Sequence, residues 1–451
     1  MPTTMRRKAL DQLLAWNRSD SAKPLLVYGA RQVGKTFLVR DVFGASEFEN
    51  VCDVNFERDG EVVRQVFRHD LNPRRIIADL SLVKDVDIKP GTTLILLDEV
   101  QLCEEALTSL KYFAEEAPDF RVVAAGSLLG VRLHRERGDG TFPVGKVDVM
   151  RMFPMDFEEY LWAQGKTRVA DGIRAAFGEG RAFLLHEEAL RLYREYVLVG
   201  GMPEAVSKSL GGEGVVAARA VHQNLSVTYA SDVARYIGDI SAARTMELWD
   251  SIPLQLMREN HKFKFSDVRK GARRSQYEGS FAWLESAGLI YRCSLTHDGE
   301  PPFLAPGGES DSFKAYLLDV GLLSSAWRVD PRLVVEGKSF SSALSPVARR
   351  ALAENYVMQS LQSNGIQPLY WKSKRNAEVD FLFSNDAMHA LPIEVKSGEN
   401  VRSRSLGMFR DKYDPALCLR VSAKNFGVEN GITSVPLYAA FCIDRSLGAK
   451  G

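Results

Sequence analysis

A chain of 451 residues, 45% hydrophobic and 26% charged, has the make-up of a globular protein with several cores, and its length suggests roughly three domains of ~150 residues. Lys and Arg total 58, as do Asp and Glu, so the formal net charge is zero and any nucleic-acid surface must be a local patch. Five cysteines, odd in number and without C-x-x-C spacing, argue against a zinc ribbon and for a reducing compartment. No run approaches the ~20 apolar residues of a membrane span, and residues 1–20 lack the apolar core of a signal peptide, so the expected location is the cytoplasm, with no membrane partner.

Residues 6–17 read as a short amphipathic helix with Leu10, Leu13, Leu14 and Trp16 on its apolar side. Leu25–Tyr28 is then a short apolar strand running into Gly29-Ala30-Arg31-Gln32-Val33-Gly34-Lys35-Thr36, followed by helix-forming residues from Phe37. Strand, G-x-x-x-x-G-K-T and helix, in that order, is the context of a phosphate-binding loop. Gly29 and Gly34 permit the tight turn that aims successive N–H groups inward, and the helix adds its unpaired N-terminal donors. Lys35 can reach β- and γ-phosphates, and the Thr36 hydroxyl can ligate Mg²⁺. The bland alternative, a glycine turn with a chance lysine, must supply every fixed position between the right flanks. Residues 29–37 are therefore the candidate nucleoside-triphosphate site.

Phe48–Phe56 reads as a second strand and 57–88 as helix and connection, closed by Pro90-Gly91. Thr93–Asp98 is continuously apolar until its last residue, as suits a parallel strand covered on both faces. Chemistry in such sheets gathers at the carboxyl ends of the strands. Asp98 would hold Mg²⁺, through water or Thr36, and Glu99 would polarise the attacking water; an acidic pair can also be a mere strand end. Ala106–Ala117 reads as a helix and Arg121–Ser127 as another buried strand, with Ser127 where a hydroxyl could sense a γ-phosphate, although Gly-Ser ends many strands.

The order GARQVGKT, LLDEVQ, VVAAGS and FPMDFEEYL resembles a branch of prokaryotic AAA-type, STAND-like P-loop ATPases. The resemblance covers nearly the whole chain. It implies ATP and Mg²⁺ as cofactors, a helical lid, a winged helix and a C-terminal domain of uncharacterised function related to PD-(D/E)XK nucleases. It also implies a homo-oligomer, such as a ring, whose sites are completed by a neighbour's arginine. The family usually has Gly-Arg before the F-P element, where this chain has Gly145-Lys146; Arg132, Arg135, Arg137 and Arg151 are substitutes or solvated loop charges.

From Asp156 to about Ile240 the pattern is mostly helical, with Leu184, Leu185, Leu190, Leu192, Tyr193 and Tyr196 at approximately helical spacing. Gly200-Gly201-Met202-Pro203 interrupts it. This is either a helix–helix corner or, as the resemblance implies, a G-x-P element in which Gly201 and Pro203 meet the adenine. Arg244–Asn260, a short helix capped at Ser266-Asp267, and Ser275–Ala287 are three helices before a hairpin of Leu289–Cys293 and Ala315–Leu318, the make-up of a winged helix-turn-helix. Between Arg258 and Arg274 seven Lys/Arg stand against two Asp/Glu, a bias that could meet DNA phosphates or simply decorate a packed surface.

Ser345-Pro346 opens a helix through Gln362. Strands Gln367–Trp371, Glu378–Phe383 and His389–Lys396, a helix Val401–Tyr413 and strands Ala416–Val421 and Ser434–Leu437 complete the α-β-β-β-α-β order of the PD-(D/E)XK fold. Asp380 lies in its middle strand. Glu394 and Lys396 form E-x-K on one face of the next, and Glu354 adds a carboxylate on the first helix. Such hard oxygen ligands suit Mg²⁺ or Mn²⁺ held by Glu354, Asp380 and Glu394, with Lys396 beside the attacking water. E-x-K alone is also common on exposed strands.

The expected chain is thus an α/β protein: a P-loop ATPase core over 1–150, a helical lid over 151–243, a winged helix over 244–335, and a restriction-endonuclease-like domain over 336–451. Its expected function is ATP hydrolysis that controls the winged helix and the nuclease-like domain on DNA. The alternative is a nucleotide switch or protein-remodelling ATPase with a non-catalytic binding module at its C-terminus.

Overall fold

The computed structural model describes residues 5–127, 129, 145–211, 213–237, 239–259, 261–301, 312–330, 344–374, 377–399 and 403–449. The chain divides into two compact units, Met1–Phe153 with Ser286–Gly288, and Pro154–Glu285 with Leu289–Gly451.

The first unit is built on strands β1 (Leu25–Tyr28), β2 (Asn50–Asn55), β3 (Thr93–Asp98), β4 (Arg121–Gly126) and β5 (Asp148–Arg151). They lie in the order β2-β3-β4-β1-β5, every neighbouring pair parallel. All six residues of β3 are buried, which is why it is apolar throughout rather than alternating. Helices Gly60–His69, Pro73–Lys84 and Glu104–Glu116 bury Phe67, Ile76, Leu80, Leu107, Leu110 and Phe113 in a core shared with the strands. The second of these helices starts where Asn72 accepts from the Arg74 and Arg75 N–H groups and Pro73 takes the first turn. β5 was not anticipated. Only Met150 of its four residues is buried, so it carries almost no apolar signal.

The second unit begins with helices Phe157–Ala163, Thr167–Glu179, His186–Val199, Pro203–Ser209, Val215–Ile237, Asp239–Leu256 and Arg274–Ser286, in keeping with the helical pattern of its sequence. An Asp156–Glu159 capping box starts the first of them. An eight-stranded sheet follows: β6 (Ile290–Thr296), β7 (Phe313–Leu317), β8 (Leu369–Lys372), β9 (Glu378–Ser384), β10 (Ala390–Val395), β11 (Leu419–Ser422), β12 (Gly427–Glu429) and β13 (Ile432–Pro436). Its order is β12-β13-β11-β10-β9-β8-β6-β7. The hairpin read as a wing is β6–β7, and β6 also pairs in parallel with β8 through Leu295–Tyr370 and Thr296–Trp371. That pairing covers the edges that β6 and β8 would otherwise expose. It runs one sheet across the expected boundary at 335/336. The helix Pro346–Ser363, β8, β9, β10, the helix Arg404–Tyr413 and β11 follow one another in the anticipated order. Among the described residues no helix is long and apolar enough to cross a membrane.

Candidate functional site

The phosphate-loop residues leave the carboxyl end of β1 with φ of 151° at Gly29, 66° at Gln32 and 90° at Gly34, conformations that turn backbone N–H groups toward a common centre. Gly29 is also required for space, because a Cβ there would lie 2.1 Å from the Met152 carbonyl oxygen beyond β5. Arg7 braces the loop from behind: its guanidinium donates to the Val33 carbonyl at 2.9 Å and the Phe153 carbonyl at 2.7 Å. The helix that leaves the loop, Phe37–Gly44, is wound with the wider π-type hydrogen bonds.

Lys35 is buried, and its ammonium donates to the Gly29 and Ala30 carbonyls at 3.0 and 2.9 Å. Burial pulls its pKa down to about 8, against the pull of Glu99 and Asp98. A phosphate at this point would favour the charged form. The Thr36 hydroxyl donates to both Asp98 carboxylate oxygens at 3.2 and 3.1 Å. Asn55, level with Asp98 on the adjacent strand, donates to the same carboxylate at 3.0 Å. Burial raises the Asp98 pKa, and Glu99 raises it further. A hydroxyl and a carboxylate converging beside a buried ammonium are the hard oxygen donors that fit Mg²⁺ with a triphosphate. Thr36 and Asp98 would hold the ion, which would supply charge neutralisation at the phosphate oxygens.

Glu99 stands in the left-handed region at φ 52°, and the Gln101 amide donates to its carboxylate. Gln101 is buried against β4, where a Cβ on Gly126 would lie 2.1 Å from its Oε1. β4 separates β1 from β3, which puts the buried Ser127 between the loop and the ends of β3. The structure thus gathers Lys35, Thr36, Asp98, Glu99 and Ser127 at one edge of the sheet. Sequence reasoning missed Asn55, Gln101 and Arg7. The register of β2 on β3 identifies Asn55, and only tertiary packing identifies the other two.

Of the arginines considered near the F-P element, Arg132, Arg135 and Arg137 lie outside the described residues. Arg151 ends β5 beside Tyr28, with its guanidinium 4.8 Å from the Phe153 ring centroid. Lys146 forms an exposed ion pair with Glu115 at 2.9 Å.

In the second unit the Gly201 N–H donates to Asp319 at 2.6 Å, and its carbonyl accepts from the Met155 N–H at 2.7 Å. A Cβ on Gly201 would lie 1.9 Å from the Met155 oxygen, and Pro203 opens the helix that follows. This is the geometry of a tightly packed helix corner.

The carboxylates of the C-terminal sheet are also brought together, but around cations. Lys314, fully buried on β7, places its ammonium 3.1 Å from Glu378, 3.4 Å from Asp380 and 3.6 Å from Glu354. Arg350 bridges Glu354 at 2.7 Å and Asp380 at 3.1 Å. Tyr316 and His261 meet the second Glu354 oxygen at 3.0 and 2.9 Å. Burial opposes the Lys314 charge, yet Glu354, Asp380 and Glu378 together hold its pKa above the ordinary lysine value. Burial likewise opposes ionisation of Glu354, but Lys314, His261 and Arg350 hold its carboxyl well below the usual range. Asp380 also accepts from the Val395 N–H at 2.9 Å, and Lys396 pairs with Glu394 at 2.5 Å. The expected Mg²⁺ or Mn²⁺ set of Glu354, Asp380 and Glu394 does not fit this arrangement, because two protein cations take up the carboxylates a metal would need. Among the described residues no group of three His, Cys, Asp or Glu side chains gathers as a metal-binding set.

Residues 21–161 match a family model described as an AAA domain. Residues 190–333 and 349–440 match two domains of unknown function, DUF8612 and DUF4143. No curated protein matches the chain. Similar solved structures include a Walker-type ATPase of Pyrococcus abyssi, 14% identical, covering 72% of this chain and 96% of its own, with a TM-score of 0.46. The ORC1 protein of Aeropyrum pernix, solved in complex with DNA, is 12% identical over 74% of this chain and 95% of its own, with a TM-score of 0.32. A signal transduction ATPase with numerous domains from Pyrococcus horikoshii is 12% identical over 80% of this chain and 50% of its own, with a TM-score of 0.28. At these TM-scores the three likenesses support no argument. With the loop, the Thr36–Asp98 pair and the family match in place, the first unit contains an AAA-type P-loop ATPase domain.

Proposed function

We propose that this protein is an ATPase whose nucleotide state controls how its second unit engages DNA. The observation that supports it most is the convergence of Thr36 and Asp98 under the loop, with Glu99 held one residue further on by Gln101. Lys35 and the loop N–H groups bind the triphosphate, Thr36 and Asp98 would hold the Mg²⁺ that neutralises its phosphate charge, and Glu99 draws the proton from the attacking water. Ser127 reads the γ-phosphate. A homo-oligomer, such as a ring, completes each site with an arginine from its neighbour.

Lys314 and Arg350 favour the C-terminal sheet as a binding module rather than a metal nuclease. ATP hydrolysis and DNA cleavage measured together, with and without DNA and in Mg²⁺ or Mn²⁺, test both parts. Lys35→Ala should lose nucleotide binding. Glu99→Gln should retain binding and lose ~10²–10⁴-fold in turnover. Equal turnover in wild type and Glu99→Gln would remove the catalytic assignment. Metal-dependent cleavage lost in Asp380→Ala and Lys396→Ala would restore the nuclease reading.

A further inference from the structure

The second unit has a cleft of about 550 Å³ that none of the roles above uses. One wall is the end of β8, where Lys372 and Lys374, two residues apart, line it together. The other is the helix Arg404–Tyr413, which contributes Lys412, and His297 closes one end. Among the described residues none of the three lysines has a carboxylate within ion-pair distance. Asp411, the acidic residue of the lining, is taken up by Arg410 at 3.0 Å. Lys412 instead lies 4.2 Å from the centroid of the Tyr413 ring.

The floor of the cleft is Trp371, 1% exposed and held edge-on by Phe409 and Tyr413 at 5.0 and 5.9 Å between ring centroids. Its Nε1–H is buried and, among the described residues, has no hydrogen-bond partner. Ammonium groups on opposing walls, the Lys412 one donating to the Tyr413 hydroxyl, suit successive phosphates along a strand, which need point charges rather than one rigid bidentate fork.

We propose that this cleft binds the phosphate backbone of nucleic acid, with Lys372, Lys374 and Lys412 as phosphate contacts. The inference rests on the reading that the second unit engages DNA, and it places the contact away from the basic stretch 258–274. Three of the seven basic residues in that stretch are paired with carboxylates: Arg258 with Asp267, Arg269 with Glu247 at 3.5 Å and Arg274 with Glu278 at 2.7 Å.

The test is fluorescence anisotropy of labelled duplex and single-stranded DNA with the full-length protein, from about 50 to about 200 mM salt. Each phosphate contact contributes ~0.9 to the slope of log affinity against log salt on duplex DNA. The triple variant Lys372→Gln, Lys374→Gln, Lys412→Gln should therefore lose ~2–3 from the slope, so that wild type loses ~40-fold more affinity than the variant across that range. The corresponding triple arginine variant should keep the slope, and Lys270→Ala, Arg273→Ala, Arg274→Ala should leave it nearly unchanged. Thermal melting separates lost contacts from lost fold. If the triple variant melts early, the exposed single change Lys374→Gln should still lower the slope by ~1. An unaltered slope in the glutamine variants, or a fall confined to the 270–274 variant, overturns this inference alone. Wild-type protein without measurable DNA affinity overturns the DNA reading and this inference with it.

Discussion

Replacing Lys314 by methionine removes the cation around which three buried or half-buried carboxylates are arranged and leaves an apolar chain of similar length. Glu354 and Asp380 would then keep Arg350, His261, Tyr316 and the Val395 N–H, with Glu378 losing its partner at 3.1 Å. Removing one partner of a fully buried ionic cluster costs ~3–5 kcal/mol, because the remaining charges stay desolvated without compensation. For a unit of this size that corresponds to a fall in melting temperature of ~5–8 °C. Guanidinium unfolding followed by intrinsic fluorescence measures the loss. Adding Glu354→Gln to Lys314→Met should recover part of it, since the excess negative charge goes with it. Millimolar Mg²⁺ or Mn²⁺ should stabilise Lys314→Met more than wild type, whose carboxylates are already taken up by protein cations. The sign of the pH dependence follows from the two shifts. Glu354, depressed in the folded state, loses its contribution as pH falls below its unfolded value of 4.5. Lys314, raised, loses its contribution as pH rises above 10.5, so the contribution of these two groups is level between these values. A loss below ~1 kcal/mol in Lys314→Met, or equal stabilisation of wild type by divalent ions, would refute the cation-filled reading.

Gln101→Ala releases the Glu99 carboxylate from its amide donor; a hydrogen bond to a charged group is worth ~1.5–3 kcal/mol, so kcat should fall ~10–100-fold with KM for ATP nearly unchanged, as measured by phosphate release. Gly201→Ala forces a methyl group against the Met155 carbonyl and should destabilise the second unit by at least ~1–3 kcal/mol, seen as a lower melting temperature. Asp319, fully buried, has its pKa raised from 3.8 to about 6 by burial, against the backbone N–H groups that favour its charge. The folded state therefore binds its proton more tightly than the unfolded chain, and this group's contribution to stability is full below 3.8 and declines as pH rises to about 6. Denaturant titrations of wild type and Asp319→Asn should differ in pH slope only inside that window.

The sequence by itself determined the nucleotide end of this protein. Phosphate binding there depends on contiguous backbone, so Gly29 to Thr36 must be adjacent in the chain, and Asp98-Glu99 must follow a strand apolar enough to be covered on both faces. Apart from β5 and β12, the order of the sheet strands and the helices between them was legible for the same reason, since apolar period and turn residues are local properties. The tertiary structure alone decided what surrounds those residues. Asn55 reaches Asp98 because β2 runs in register with β3, and Arg7 reaches Val33 across 26 positions; neither has a local signature. The same limit governs the C-terminal carboxylates. Glu354, Asp380, Glu394 and Lys396 were found by spacing, but spacing cannot register that Lys314, on a hairpin read as a separate wing, is carried by the β6–β8 pairing into a sheet shared with Asp380. A carboxylate's chemistry is set by the charge beside it, and that charge came from a strand some sixty residues away in the chain.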